Sequence, residues 1–322
     1  VSGSGLTVHF GGDYMVASAY LTRGDGAVRD TDGQSYDPAP LRYSPGYHVY
    51  YPRHIEWYTA GDDLGRIDEI KEAVMQYGVM GTCMCYSEEF IEGLTHYQPP
   101  SSEEPPNHAI AIIGWNDTLQ TQAPLPGAWL CKNSWGEGWG MDGCFWISYY
   151  DRWAGHEPQM GAVSFRDVEP MRYDNVLYHD LHGWRDTMTG TAEAMNAFCT
   201  GSRMLVSSGG FFTASDSTEW ELSVYSGFDG NEPYGLLASD SGMFVHTGYH
   251  TVDFPEPFET AGGDSLYAVL LLDRGGQPYD RTSDVPVLLG ASYRTLVESS
   301  ASYGESFYRD GAGNWADLQD WD

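Results

Sequence analysis

The chain has 322 residues, 41% of them hydrophobic and 14% aromatic, enough apolar mass for about two packed domains and too much for a disordered polymer. Sixteen basic against 46 acidic residues give a formal charge of −30, which repels nucleic acid and anionic membranes and argues against both as partners. No apolar run reaches the ~18 residues of a membrane-spanning helix, so no membrane span is expected.

After a Gly/Ser-rich opening, VSGSG, the chain reads His9-Phe10-Gly11-Gly12. Asp13 then stands as N-cap to a helix running to Thr22, with Tyr14, Ala17 and Leu21 at helical spacing. Residues 23–53 lose periodicity and read as a long loop region. Within it, Arg23-Gly24-Asp25 spells an adhesion tripeptide, a match short enough to arise by chance. Asp30-Thr31-Asp32-Gly33 resembles part of a calcium loop, but Val28 occupies the place of the first carboxylate, so a turn is expected. Ile67, Ile70, Val74 and Tyr77 mark one face of an amphipathic helix over residues 63–77. Gly78 ends it, and a strand follows over 79–86. Residues 98–106, QPPSSEEPP, form a stiff exposed loop.

The richest stretch comes next, NHAIAIIGWND and then GAWLCKNSWGEGWGMDGCFWISYYD. Strands over 109–115 and 128–132, paired as neighbours, bring His108 to Asn133 across 25 sequence positions. A histidine oriented by a third polar group suits thiol catalysis, in which the base shares a proton with a cysteine. Asn133 accepts from one ring nitrogen while the other faces the sulfur, and Trp135 and Trp139 shield that bond from water.

The runs NHAIAIIGW, WLCKNSWGEGWG and GCFWI resemble the second half of the papain-like cysteine peptidases. The upstream Gly-Gly turn, the helix after it and the segment GAVRDTDGQSYD resemble that family's substrate-binding region. The resemblance implies His108 as catalytic base, Asn133 as its orienter, and Trp135 as the ring beside that asparagine, with Trp139 in support. It also implies Gly11 and Gly12 as backbone contacts to a polypeptide substrate, with Asn107 on the substrate side. The strand over 79–86 corresponds to the one beside the pocket for the substrate's second residue, which makes Cys83 or Cys85 a specificity position.

No residue matches the family's nucleophile, nor the glutamine of its oxyanion hole. The usual spacing places the cysteine at least ~20 residues ahead of Val1, on an N-terminal fragment that is the expected partner. The chain is therefore expected to be the C-terminal product of a processed precursor, or a fragment of one. Cys83, Cys85, Cys131, Cys144 and Cys199 lack the paired spacing of a zinc site, and no metal site is expected in this first region. Their odd number argues against a full disulfide framework. Cys131 and Cys144 are a candidate pair, and Cys83 and Cys85 read as small buried hydrophobes rather than nucleophiles.

Residues 152–173 hold no convincing periodic element, and the domain boundary is expected near 165, giving domains 1–165 and 166–322. Beyond it, strand-like runs cover 194–199, 204–213, 220–225, 249–254, 266–273, 285–289 and 306–309, separated by turns rich in Gly, Asp, Ser and Pro. This is the pattern of an antiparallel sandwich. YDNVLYHDLHGW, FFTASDSTEWELSVYSG and SFYRDGAGNWADLQDWD resemble the lectin-like domain that follows papain-like peptidases in bacterial and archaeal surface or secreted proteins. Trp184, Trp315 and Trp321 are candidates for stacking on a cell-surface glycan. Asp216, Glu219, Asp229, Asp273 and Asp280 are candidate oxygen ligands for calcium, although a solvated carboxylate is the commoner state in so acidic a chain. No other cofactor is expected.

The expected fold class is α+β, the β-rich half of a papain-like fold followed by a jelly-roll-type antiparallel β-sandwich. The expected function is the base-bearing part of an extracellular papain-like cysteine endopeptidase. The alternative is a catalytically inactive peptidase-fold scaffold, or a surface structural protein, whose sandwich binds carbohydrate. Retention of both His108 and Asn133 favours the enzyme. A glycosidase using paired carboxylates is a third reading, and it turns on a separation that sequence does not give.

Overall fold

A computed structural model describes residues 13–24, 27, 50–61, 63–286 and 294–321. The backbone divides into two compact units that interleave in sequence. Residues 13–17, 55–61, 63–166, 284–286 and 294–296 belong to the first, and 18–24, 27, 50–54, 167–283 and 297–321 to the second. Against the boundary expected near 165, the main division falls between 166 and 167, while residues 18–54 group with the later part of the chain.

Helix α1 (Tyr14–Thr22) begins as its sequence implies: Asp13 Oδ1 accepts from the Val16 N–H at 2.7 Å, capping one of the first turn's orphan donors. Its first residue anchors the first unit. The Tyr14 hydroxyl donates toward the carbonyls of Thr82 and Ile110 at 3.3 and 3.4 Å, and the ring lies where any side chain on Gly81 would be, 2.4 Å from the position of a Cβ.

β1 (Tyr50–Tyr58) and β8 (Ala162–Pro170) were not legible as strands. Residues 23–53 were expected to be loop, and 152–173 to lack regular elements; charged residues interrupt both strands and mask their periodicity. Arg166 of β8 resolves its own cost by meeting Glu56 of β1 at 2.5 Å and lying 3.7 Å over the Tyr77 ring, while the Tyr58 hydroxyl donates to the other Glu56 oxygen at 2.6 Å. Helix α2 (Ile67–Tyr77) starts four residues later than the pattern suggests. Leu64 takes a left-handed φ of 60°, and Asp63 caps Gly65 N–H in a turn, which breaks the first part of the expected helix. Gly78 closes it at φ 93°, donating to the Val74 carbonyl.

The first unit's sheet contains β2 (Met80–Met84), β3 (Ile91–Glu92), β4 (Thr95–His96), β5 (His108–Asn116), β6 (Ala128–Lys132) and β7 (Cys144–Ser148). The order runs β8-β2-β5-β6-β7-β4-β3, with residues 55–58 beside β8. Pairing among β2, β5, β6 and β7 is antiparallel, and β4 joins β7 in parallel. The observed β5–β6 ladder is the neighbour pairing on which the meeting of His108 and Asn133 depends. Ile70 and Ala73 of α2 pack with Met80, Ile112, Trp129 and Ile147 in one apolar core. Burial of that face, at about 25 cal/mol per Å², is what holds an eleven-residue helix in place.

The second unit is built mainly of strands, and the pairings among its long strands are antiparallel. β9 (Asp186–Met188) pairs with β16 (Gln277–Tyr279). β10 (Glu193–Cys199), β12 (Thr218–Phe228), β13 (Pro233–Phe244), β15 (Ser265–Leu272), β19 (Ser306–Arg309) and β20 (Trp315–Asp317) form a sheet ordered β13-β12-β15-β10-β19-β20. β11 (Met204–Thr213) and β14 (Gly248–Thr260) lie with residues 50–54 in another. A short ladder joins β17 (Ser283–Pro286) and β18 (Arg294–Val297), of which residues 284–286 and 294–296 belong to the first unit. Phe211, Val252 and Phe254 from one sheet share a core with Trp220, Leu222, Val224 and Leu266 from the other, the face-to-face packing of a sandwich. The fold is thus α+β and strand-rich, as expected. β13 was missed because its Ser, Asp and Gly residues read as turn. Of the run expected over 285–289, residues 287–289 lie outside the described residues.

Candidate active site

β5 begins at His108, and its partner β6 ends at Lys132, one residue before Asn133. The ladder places Lys132 opposite Ala111, so the two strand ends meet on one edge of the sheet. There His108 Nε2 lies 2.8 Å from Asn133 Oδ1, and the Ser134 backbone N–H donates to the same oxygen at 2.7 Å. Two approaching nitrogens fix that atom as the amide oxygen, which only accepts. Nε2 of His108 therefore carries a proton, which leaves Nδ1 as the nitrogen outside this contact. Among the described residues no cysteine hydrogen-bonds this ring. Asn133 is 5% exposed, and its Nδ2 finds no partner among the described residues.

The aromatic turn covers this pair. Trp135 stacks on the His108 ring at 4.8 Å and 21° while remaining 43% exposed. Trp139 meets Trp135 edge-on at 5.0 Å, and Phe145 backs Trp139. Trp135 thus roofs the His108 ring, and Trp139 stands against Trp135. The Gly-rich run permits the turn: Gly143, at φ 80°, accepts from Asn133 N–H at 2.8 Å, and a Cβ there would meet Lys132 Nζ at 2.6 Å.

Asn107 spends its side chain on the backbone, accepting from Tyr86 N–H at 2.7 Å and donating to the Tyr86 carbonyl at 3.0 Å. Sequence gave no sign of Tyr86 itself, whose ring stands edge-on to Trp135 at 4.6 Å. Cys83 is fully buried in β2 opposite Ala109, so its sulfur has no open face to a substrate in this structure. Gly11 and Gly12 lie outside the described residues, as does Asp25 of the adhesion tripeptide.

All five cysteines are free thiols, including the candidate pair Cys131 and Cys144. Burial holds Cys83 and Cys131 well above the ordinary thiol range. Burial and the neighbouring Glu104 carboxylate push Cys85 up to about 11. None of these three is a thiolate at neutral pH, which the attacking group of a thiol peptidase must be.

A cavity of about 130 Å³ beside the site is lined by Tyr86, Leu94, Trp139 and Phe145. A larger one of about 370 Å³ lies in the second unit against Phe198, Leu222, Phe254 and Leu266. His179, whose Nε2 lies 2.7 Å from the Ala197 carbonyl oxygen, and Asp180, whose carboxyl burial and the Asp280 charge push up to about 7, also line the larger cavity; the chemistry is assigned to the His108 edge because the His–Asn pair lies there.

Residues 50–161 match the papain family cysteine protease model, and residues 176–322 match the lectin-like domain model. The chain joins a papain-family domain to a lectin-like domain. Human cathepsin O is 30% identical to the papain-family part over 103 residues, covering 31% of this chain and 29% of that protein. Mouse Testin-2 is 24% identical over 160 residues, 48% of this chain and 45% of that one. The chain spans less than half the length of these curated relatives. Among solved structures, the clostridial cysteine protease Cwp84 after propeptide cleavage aligns over 94% of this chain and 76% of its own, at a TM-score of 0.72 and 22% identity. A second structure, of the cysteine protease and lectin-like domains of Cwp84 from Clostridium difficile, aligns at 0.71 and 21% over 94% and 68% of the two chains. At these identities the likeness is one of fold.

In the lectin-like domain the three candidate stacking rings differ. Trp184 donates to Thr187 Oγ1 at 2.9 Å, and Trp315 lies under the Arg309 guanidinium at 4.3 Å. Trp321 is 47% exposed, with its edge on Tyr308. Among the candidate calcium carboxylates, Glu219 lies in β12 beside Asp273, and the others serve different turns. Asp229 caps the N–H groups of Asn231 and Glu232, Asp216 that of Thr247, Asp273 that of Glu219, and Asp280 those of Leu181 and His182. No three acidic, histidine or cysteine residues gather into a metal-sized group among the described residues.

Proposed function

We propose that this chain is the base-bearing part of an extracellular papain-type cysteine endopeptidase, its attacking thiolate supplied by a cysteine other than the five present here. The observation that carries the reading is the His108–Asn133 contact at 2.8 Å, with Ser134 N–H fixing the amide oxygen. It leaves Nδ1 outside that contact, beside the Trp135 roof. In the proposed cycle Nδ1 takes the thiol proton, and the thiolate attacks the carbonyl carbon of a polypeptide. The C–N bond then breaks as the proton passes to the departing amine, and water hydrolyses the thioester. In this reading the attacking cysteine belongs to a separate or removed N-terminal segment.

Extracellular placement is supported by the charge of −30 and by the fold neighbour, described as surface-layer associated. The lectin-like domain is the proposed contact to a surface glycan, with Trp321 as its exposed ring. Intact mass measurement of the purified protein, native and then denatured, after exposure to a thiol-reactive peptidyl inhibitor, tests the proposal. A second polypeptide that separates on denaturation and carries the inhibitor's mass supports it. Residues 1–322 alone and unlabelled would remove it and leave a peptidase-fold scaffold with a carbohydrate-binding sandwich.

A further inference from the structure

Two charged residues in the papain-family domain take no part in the chemistry above, yet both are buried completely. His96 ends β4, and Asp151 follows the SYY run after β7; both side chains are 0% exposed, 3.1 Å apart from Nδ1 to Oδ2. Burying either alone carries a large desolvation cost, so the surroundings must satisfy them. Asp151 accepts from the backbone N–H groups of Gln98, Trp153 and Ala154 at 2.8, 2.9 and 3.1 Å. Burial would raise its pKa, but the His96 contact and these N–H groups outweigh it and hold the carboxyl below its ordinary range.

The other side of the imidazole is equally constrained. His96 Nε2 lies 2.9 Å from the Cys85 carbonyl oxygen, which only accepts, so Nε2 carries a proton. Nδ1 sits close to a carboxylate, off the axis of an ideal hydrogen bond, where a lone pair would be repelled. Nε2 thus donates to the Cys85 carbonyl while Nδ1 stands against the Asp151 carboxylate, so the ring is held from both sides.

The carbonyl that His96 holds belongs to the strand end beside His108. Met84 is the register partner of His108. Just past it, Asn107 N–H donates to the Met84 carbonyl at 3.0 Å, and the Asn107 side chain clamps Tyr86 through two hydrogen bonds. The Tyr86 ring meets Trp135, and Trp135 stacks on His108. Residues 85–86 thus touch both the residue preceding His108 and the ring roofing it, and His96 fixes them from the opposite side.

We propose that the His96–Asp151 pair is a positioning device for His108: by holding the Cys85 carbonyl it sets the Tyr86 wall and the Asn107 clamp, and through them the orientation of the imidazole toward Asn133. This rests on His108 being the peptidase base, but its test needs no thiol and no turnover. Nitrogen-15 NMR of the ring nitrogens in the whole chain reads both histidines. In the unaltered protein His96 Nε2 and His108 Nε2 each carry a proton. A His96 whose Nε2 carries no proton would overturn the proposal without any variant being made. In His96→Leu, which offers no donor to Cys85, the His108 Nε2–H fraction falls several-fold. His96→Gln, which retains one donor, restores part of it. An unchanged His108 tautomer in a folded His96→Leu protein would also overturn it. Failure of the inhibitor-labelling experiment, with the tautomer shift intact, would remove the peptidase reading and leave the positioning device standing.

Discussion

Asn133→Ala separates orientation of His108 from stability. The substitution deletes Oδ1, which holds His108 Nε2–H at 2.8 Å and Ser134 N–H at 2.7 Å. Each such bond contributes about 0.5–1.5 kcal/mol net. Ser134 is exposed, so water replaces its lost acceptor. Asn133 also carries a cost, because its buried Nδ2 has no partner among the described residues, and an unsatisfied buried donor costs about 1–3 kcal/mol. Alanine removes that cost as well. The two effects nearly offset, and the expected loss of stability is below ~1.5 kcal/mol. The bias on the ring is not offset, since among the described residues no other group accepts from Nε2. Removing a bond of about 1.4 kcal/mol lowers the Nε2–H to Nδ1–H ratio by about tenfold. Urea unfolding gives the stability and nitrogen-15 NMR the tautomer ratio. A stability loss above ~3 kcal/mol with the ratio unchanged would show Asn133 to be a core group that does not orient the base.

Asp151→Asn leaves His96 buried without the facing carboxylate and is expected to cost about 3–5 kcal/mol in chemical unfolding. Because the native pKa of Asp151 lies below its unfolded value, its contribution is present above the ordinary carboxylate range and is lost as pH falls through the depressed native value. The acid limb of the stability profile should flatten in this variant. Alkylation followed by peptide mapping should label exposed Cys199 first and leave Cys83, Cys85 and Cys131 untouched until unfolding; labelling of Cys85 in the native protein at neutral pH would contradict the raised thiol pKa. Gly81→Ala places a methyl 2.4 Å from the Tyr14 ring and should destabilise by about 1–3 kcal/mol. Tyr14→Ala should remove most of that penalty in the double variant, because the clash is with the ring.

The legible parts were those in which one local pattern dominated. The Asp13 cap, the Gly78 stop and the bounds of β6, β11 and β19 follow from turn chemistry and period, and these elements agree with the sequence expectations. β8 was hidden because Arg166, Asp167 and Glu169 interrupt its apolar run. A charge inside a strand is acceptable only when a distant group answers it, as Glu56 answers Arg166, and that answer is 110 residues away in sequence. The helix expected from residue 63 failed at Leu64, whose left-handed φ no propensity scale anticipates for leucine.

At the site, His108, Asn133, Trp135 and Trp139 were named from sequence because their order and spacing lie within one continuous motif. The periodicity around that motif sufficed to place two neighbouring strands, and resemblance to a family supplied the roles expected of the residues. Tertiary structure alone decided which ring nitrogen carries the proton, because that depends on two donors converging on one oxygen. It alone brought Tyr86 against Trp135 and joined His96 to Asp151 and to the Cys85 carbonyl, since contacts at angstrom range across 11 to 55 residues leave no periodic trace in the chain.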